Sequence, residues 1–477
     1  MASSTPQCSS LSPCPRRTRS CRGFARAGKR PWTSSAEAEL PAGRSFVGIE
    51  PPPKSLSPGE HEGLQNRVDA IAKPRPLLVF VANIGPGILV MLADTDAANV
   101  VTAAQSGARW GYRLLPLLLG LIPVLYMVQE LAVRLGIFTG RGYSELVRHR
   151  FGSGWAWVSA ALLAVAVAGS MITEFAAVAG VGELYGVSRN LTLPLAASTL
   201  LIIVLSGSYR RVERTAILIG SFELAFLMVA AMTRPDFATI ARDVIDIPFG
   251  NADFWFLAAA LIGAVFNPWM VFYQQSAIAE KRLDHRHYTA ARGDTAMGAV
   301  LTQLVSASVL LVAAATFGTG DVKASLSSVG QISEALTPHL GATAGRLVFS
   351  LGVLGASIVA AIVCSLALAW ALGEAAGHRR SPETQPFRAP WFYGVYAACV
   401  LGGAAFVWEV PNLIWLTVWA QIINALLLPM VVGFLVVLAA SSLPDSNRLR
   451  GWYLGLVVIA ATVTCACGVF GAIQGLL

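Results

Sequence analysis

Between about Pro76 and Ala108 the chain is apolar for long enough to cross a bilayer, which takes roughly 20 residues. Its middle, however, reads Gly85-Pro86-Gly87-Ile88-Leu89-Val90-Met91-Leu92-Ala93-Asp94-Thr95-Asp96-Ala97-Ala98-Asn99. Two aspartates and an asparagine there are costly, since one charged side chain at the bilayer centre costs about 2.5–3.5 kcal/mol on insertion scales. Chains keep such residues where they face a water-filled cavity or an ion. Gly85, Pro86 and Gly87 also disfavour one continuous helix, and irregular backbone at membrane depth survives only inside protein or against a cavity. Carboxylate, amide and freed carbonyl oxygens together make a cation site. The alternative is a kinked helix whose acids pair with basic groups, but no Lys or Arg lies near them in the span.

Of the 477 residues, 55% are hydrophobic and only 13% charged, against about 25% charged in soluble domains. The chain therefore reads as an all-α polytopic protein whose surroundings are the lipid bilayer. Its formal charge of +8 is no sign of a nucleic-acid partner, because the basic residues fall in short loops and in the tail, where they set orientation. Cys8, Cys14 and Cys21 lie in the tail, and Cys364, Cys399, Cys465 and Cys467 lie in apolar spans as small packing residues rather than ligands. No cofactor is implied. Residues 1–75 are rich in Ser, Pro and Arg, without a hydrophobic period or the apolar core of a secretory signal. They read as a disordered cytoplasmic tail, with a transit-like segment or a misassigned start as alternatives, and Val68–Ala72 as a short helix. Residues 76–477 read as the transmembrane domain.

Hydropathy divides that domain into eleven spans, near 76–108, 113–135, 154–187, 191–207, 214–232, 252–280, 295–317, 346–374, 390–408, 412–439 and 452–476. Arginines and lysines crowd the connections after the second, fourth, sixth, eighth and tenth spans, as in Arg141, Arg148 and Arg150, or Lys281, Arg282, Arg286 and Arg292. The alternate connections are poorer. Basic residues concentrate on the cytoplasmic side, so the amino terminus is expected inside and the carboxy terminus outside, in a membrane read as a bacterial plasma membrane. The sixth span is broken in its turn, at Gly263-Ala264-Val265-Phe266-Asn267-Pro268-Trp269. Spans one and six open two halves of five spans each, and since five is odd the halves enter the membrane from opposite sides. Interrupted helices at matching positions of inverted repeats are the best sequence pointer to a transporter's central site.

These residues carry a resemblance. Gly85-Pro86-Gly87 followed by Asp96-Ala97-Ala98-Asn99 resembles the first-span signature of the Nramp family, where the second motif is usually Asp-Pro-Gly-Asn. Gln105-Ser106-Gly107-Ala108, Gln129-Glu130-Leu131-Ala132-Val133-Arg134-Leu135-Gly136 and the sixth-span string continue the match. The resemblance implies an eleven-span LeuT-like 5+5 inverted repeat with broken first and sixth helices. It implies alternating-access transport of a divalent metal cation, with Asp96, Asn99, the Ala264 carbonyl and Asn267 lining the ion. Asp94, Glu174, Gln421 and Trp269 are further candidates for the ion pathway. The departures are chemical. Asn267 stands where the family has a methionine and Trp269 where it has a histidine, while Ala177 replaces a glutamate; the run after Pro268 is similar to the Nramp-related magnesium-transporter branch. A thioether favours transition metals over hard ions, and magnesium keeps several of its waters. An amide in its place suits Mn²⁺ or Mg²⁺ better than dehydrated Fe²⁺. The lost histidine and glutamate remove proton carriers, which makes proton coupling unexpected.

Other polar residues carry blander expectations. Asn424 is expected to make an interhelical hydrogen bond, and Glu130 a helix-surface ion pair with Arg134, four residues on. Glu223 is expected either to line the pathway or to be buried structurally. Asn190-Leu191-Thr192 is a sequon in an outside loop. An intramembrane protease is disfavoured: Gly318-Thr319-Gly320-Asp321 falls at a span's end, and neither a Tyr-Asp partner nor His-Glu-x-x-His occurs, so no enzymatic activity is expected. A Na⁺-coupled transporter of a small organic substrate such as an amino acid is the nearer rival. Two aspartates beside the site would repel its carboxylate, which favours a bare cation.

Overall fold

A computed structural model describes residues 85–476 except 207, 234, 318–325, 327–329, 334–340, 379–388 and 411–413. The tail reading, the Val68–Ala72 helix and the Gly318–Asp321 string lie outside these residues. The described chain is helical: α1 (Pro86–Asp94), α2 (Ala97–Trp110), α3 (Leu115–Thr139), α4 (Tyr143–Phe151), α5 (Ser153–Leu184), α6 (Arg189–Leu205), α7 (Tyr209–Gly220), α8 (Ala225–Thr233) and α9 (Phe237–Ile245). It continues through α10 (Ala252–Val265), α11 (Pro268–Glu280), α12 (Tyr288–Phe317), α13 (Ala342–Ala376), α14 (Pro390–Glu409), α15 (Ile414–Ser441) and α16 (Gly451–Leu476).

Among the described residues nine helical spans are long and apolar enough to cross a membrane, and the bent pair α1–α2, turned by 49°, makes a tenth. The 17-residue α6 occupies the fourth expected position. The sequon starts in the first turn of that helix, not in a loop, because Ser188 rather than a later residue takes the extended N-cap conformation. The fifth span is α7 and α8 joined through a 3-10 turn at Ser221–Leu224. Pro268 lacks an amide hydrogen, so the sixth span cannot carry its ladder across Asn267, and it parts into α10 and α11 there.

The sixth span is the centre of the bundle. Its apolar window is 94% buried, against 33% for α16, whose Ile459 and Val463 face outward with Ile202 and Leu218 of other spans. Between helices in lipid the apolar surface gains little by pairing, so close packing at small residues carries much of the association. The glycines show this directly. A methyl carbon on Gly107 would stand 2.3 Å from the Leu310 carbonyl oxygen, one on Gly355 2.5 Å from that of Ile219, and one on Gly471 2.3 Å from that of Trp255. Charged groups gather at the ends. Arg109 pairs with Asp253 at 2.6 Å and Arg113 with Asp246 at 2.8 Å, while at the other end Glu130 pairs with Arg134 at 2.8 Å. Glu130 also accepts from the Tyr288 hydroxyl and lies 3.6 Å from Arg292. The expected pair is present, but its Glu130 is fully buried rather than on the helix surface, because α12 brings Tyr288 and Arg292 over it.

Candidate functional site

The break in the first span follows from local chemistry. Asp96 takes an extended conformation (φ −64°, ψ 173°) and its Oδ1 accepts the Asn99 amide at 2.8 Å, the N-cap arrangement of a new helix. That cap restarts the chain as α2 and leaves the last turn of α1 without its continuing ladder. The Asp94 carbonyl freed there accepts from Asn99 Nδ2 at 3.1 Å. At the hinge, Thr95 Oγ1 lies 2.6 Å from Thr302 Oγ1 on α12.

The sixth span meets this break. Asn267 N-caps α11 in an extended conformation, and its Nδ2 donates to the Ala264 carbonyl at 3.0 Å and to Asp94 Oδ1 at 3.4 Å. Asn267 Oδ1 accepts from Asn424 Nδ2 at 2.6 Å, and the same nitrogen reaches Gln421 Oε1 at 2.9 Å. The interhelical bond expected of Asn424 therefore runs to the site itself. Gly263 makes this possible. A methyl carbon there would sit 1.8 Å from the Gln421 carbonyl oxygen, so only glycine lets the α10 and α15 backbones touch.

Of the residues singled out in the sequence, Asp94, Asp96, Asn99, Ala264, Asn267, Gln421 and Glu174 are brought together, every one at most 1% exposed. Trp269 follows in the first turn of α11, fully buried, with no partner for its indole N–H among the described residues. Glu174 of α5 accepts the Ala97 amide at 3.3 Å and so shares the N-terminus of α2 with Asp96. Glu223, in the 3-10 turn of the fifth span, is fully buried, with Asp94 and Asp96 as its charged neighbours and the Thr95 hydroxyl beside it. The hinge aims Asp94 at Asn267, whose Nδ2 donates to it.

Two features define what this arrangement can hold. No Lys or Arg among the described residues forms an ion pair with Asp94, Asp96, Glu174 or Glu223. Asp94 Oδ2, Asp96 Oδ2, Asn99 Oδ1 and Glu174 Oε1 are buried acceptors with no hydrogen-bond partner there. Unpaired buried carboxylates are expensive, and a cation is the complement they lack. Yet no three His, Cys, Asp or Glu side chains among the described residues stand close enough to cage a metal by themselves. Any cation held here would need a mixed ligand set, drawing on amide and carbonyl oxygens as well. The broken helices supply these, with the carbonyl ends of α1 and α10 facing the amide ends of α2 and α11.

The chain also resembles known proteins in sequence and fold. A model of the family described as natural resistance-associated macrophage protein-like (Nramp) matches residues 87–474. A divalent metal cation transporter, MntH of Yersinia pestis, is 29% identical over 312 residues, which cover 61% of this chain and 73% of that protein. A manganese transporter of Eremococcus coleocola superposes with a TM-score of 0.67 at 17% identity, covering 83% of this chain and 87% of its own. The fold extends further, to MhsT in complex with L-phenylalanine, at a TM-score of 0.55 and 13% identity over 82% of this chain and 98% of that one.

Proposed function

The chain belongs to the Nramp family, and from that premise we propose that it is a divalent metal cation transporter working by alternating access. It is an integral membrane protein and not an enzyme. The observation that carries the reading is the convergence of Asp94, Asp96, Asn99, Ala264 and Asn267 at two helix breaks, buried and without a basic partner. A carboxylate-bearing organic substrate would meet Asp94 and Asp96 head on, so a bare cation fits better.

Hard divalent ions, Mn²⁺ and Mg²⁺ ahead of Fe²⁺, suit this donor set. As placed, Asn267 turns its amide nitrogen to Asp94 and Ala264 and its oxygen to Asn424. A cation reverses the demand. Rotating the Asn267 amide by half a turn sets its oxygen beside Asp94 Oδ1 and the Ala264 carbonyl, so that three oxygens converge where the N–H groups now point. Asn424 follows, because its own amide offers an oxygen to the displaced nitrogen, and Gln421 turns with it, bringing its Nε2, unpartnered among the described residues, to that oxygen. We read the amino terminus as cytoplasmic from the charge pattern, and transport as driven by the metal's own gradient and the membrane potential. The test is uptake of Mn²⁺ and Mg²⁺ into proteoliposomes. Asp96→Ala should abolish it in a protein that stays monodisperse in detergent, and normal uptake by that variant would remove the site from consideration.

A further inference from the structure

Gly85-Pro86-Gly87 breaks the first span, and the structure gives the two glycines a further use. Asp294, near the start of α12, aims its carboxylate at the first turn of α1. Oδ1 accepts the Gly85 amide at 3.1 Å, and Oδ2 accepts those of Gly87 at 2.8 Å and Ile88 at 3.3 Å. The carboxylate thus satisfies three of the free N–H groups that begin a helix and sits at the positive end of its dipole. Both glycines are required by that approach: a methyl carbon on either would stand 2.6 Å from Asp294 Oδ2, and one on Gly87 also 2.9 Å from the Thr295 backbone nitrogen.

The contact continues along α12 at one residue per turn. Gly298 lies against Met91, where a methyl carbon would be 2.7 Å from Met91 Cγ, and Thr302 meets Thr95 at the hinge. Beside Asp294, Thr295 Oγ1 accepts from Gln274 Nε2 of α11 at 2.8 Å. Two neighbouring residues of one unbroken helix therefore hold the half-helices of both broken spans, α1 through a carboxylate and α11 through a hydroxyl.

We propose that Asp294 and Thr295 form a clasp that positions α1 over the ion site and keeps the site closed on that side, so that the ion is released there only when Asp294 lets go of the α1 amides. This rests on the transport reading above. Asp294 touches no ion; it acts through Asp94 and Thr95, at the far end of the helix it holds. A bond between a carboxylate and amides can be exchanged for water when that side opens, which suits a contact that must be made and broken in every cycle.

The test places a single reporter cysteine at Val90, a fully buried residue of α1, in the full chain with its native cysteines replaced. The rate of modification by a membrane-impermeant thiol reagent is read in vesicles of each orientation, without metal. Asp294→Asn keeps the shape and loses the charge and one acceptor. It should raise the rate about tenfold from one side only, within the range of ordinary conformational couplings. Gly87→Ala forces α1 off the carboxylate without altering Asp294, and should act in the same direction, as should Thr295→Val through Gln274. A side chain that merely fills space would leave Asp294→Asn at the wild-type rate. If whichever of the three variants remain monodisperse label as slowly as the parent, or equally from both sides, there is no clasp. Mn²⁺ uptake by the wild type is scored separately. Its failure would overturn the transport reading, while the labelling still decides whether α1 is clasped.

Discussion

Replacing Gly263 by Ala tests whether the site depends on the contact between α10 and α15. Two effects oppose each other. Ala is the better helix former by about 0.8–1.0 kcal/mol, so in open space the change stabilises. Gly120, with nothing within 4 Å of an added carbon, provides that case. At Gly263 the added carbon would stand 1.8 Å from the Gln421 carbonyl oxygen and 3.0 Å from the Ala425 nitrogen, whereas ordinary contact begins at 3.4 Å. The backbones must therefore part by about 1.6 Å. Overpacking a filled core costs typically 1–3 kcal/mol, and here the obstacle is backbone rather than a yielding side chain, so destabilisation wins. The same shift withdraws Gln421 and Asn424 from Asn267 and breaks the 2.6 Å bond that orients its amide. Displacements of about 1 Å at a positioned site cost up to 10²-fold. We expect Gly263→Ala to lower the melting temperature in detergent and cut Mn²⁺ uptake at least tenfold (about 1.4 kcal/mol), while Gly120→Ala leaves uptake unchanged. Wild-type melting and a KM within about twofold for Gly263→Ala would refute the argument that this contact builds the site.

Further predictions concern selectivity and coupling. Asn267→Met should move preference from Mg²⁺ toward Cd²⁺ by roughly tenfold, equivalent to about 1.4 kcal/mol, read as loss of Mg²⁺ competition against Mn²⁺ uptake; unchanged competition would mean residue 267 does not face the ion. Proteoliposomes carrying a pH dye should show no acidification linked to Mn²⁺ entry, because Trp269 and Ala177 offer no proton acceptor. Acidification that follows metal uptake and vanishes in Glu174→Gln would instead make Glu174, beside Asp96 at the N-terminus of α2, the proton carrier.

What the sequence made legible, and what it hid, divides by range. The broken first and sixth spans were readable because Gly85-Pro86-Gly87 and Asn267-Pro268 act locally, on their own hydrogen-bond ladders. So was the convergence of the two breaks, since matching positions in two halves imply a shared centre. Asp294 was not readable as a partner of α1. It lies 209 residues from Gly85, in Arg292-Gly293-Asp294, and looks like an ordinary charge where an apolar span begins. Its only local hint was the pair of glycines, whose missing side chains make equal sense as helix breakers. Asp94 was readable as a candidate because the broken backbone frees it from helical periodicity, but its bond to Asn267 was not. Four-residue spacing found the Glu130–Arg134 pair but could not reveal that α12 would bury Glu130. The 3-10 turn that carries Glu223 into the interior has no Pro or other breaker within Ser221–Leu224 to announce it.

The ways in which the four half-helices are held suggest which of them moves. α2 and α10 are fixed by backbone against backbone, through Gly107 on Leu310 and Gly263 on Gln421. In lipid such contacts have no equivalent substitute once parted, because neither acyl chains nor water restore the dispersion and packing that are lost. α1 also has a tight glycine contact, but its start is held by three amide bonds to Asp294, and water can replace those at a modest cost, about 1.5–3 kcal/mol for a bond to a charged group. Its other end is a two-residue hinge whose Thr95 hydroxyl lies 2.6 Å from Thr302 Oγ1 and 3.4 Å from the Met91 carbonyl. A nine-residue lever on such a hinge, latched at its free end by a solvent-exchangeable group, can swing without disturbing α2 or α10. The carboxylate at the lever's inner end, Asp94, proposed above as a ligand, would move with it, whereas Asp96 and Ala264 would stay. Opening on the α1 side thus splits the ligand set between a moving and a fixed half, which weakens the ion's hold at the moment its exit appears.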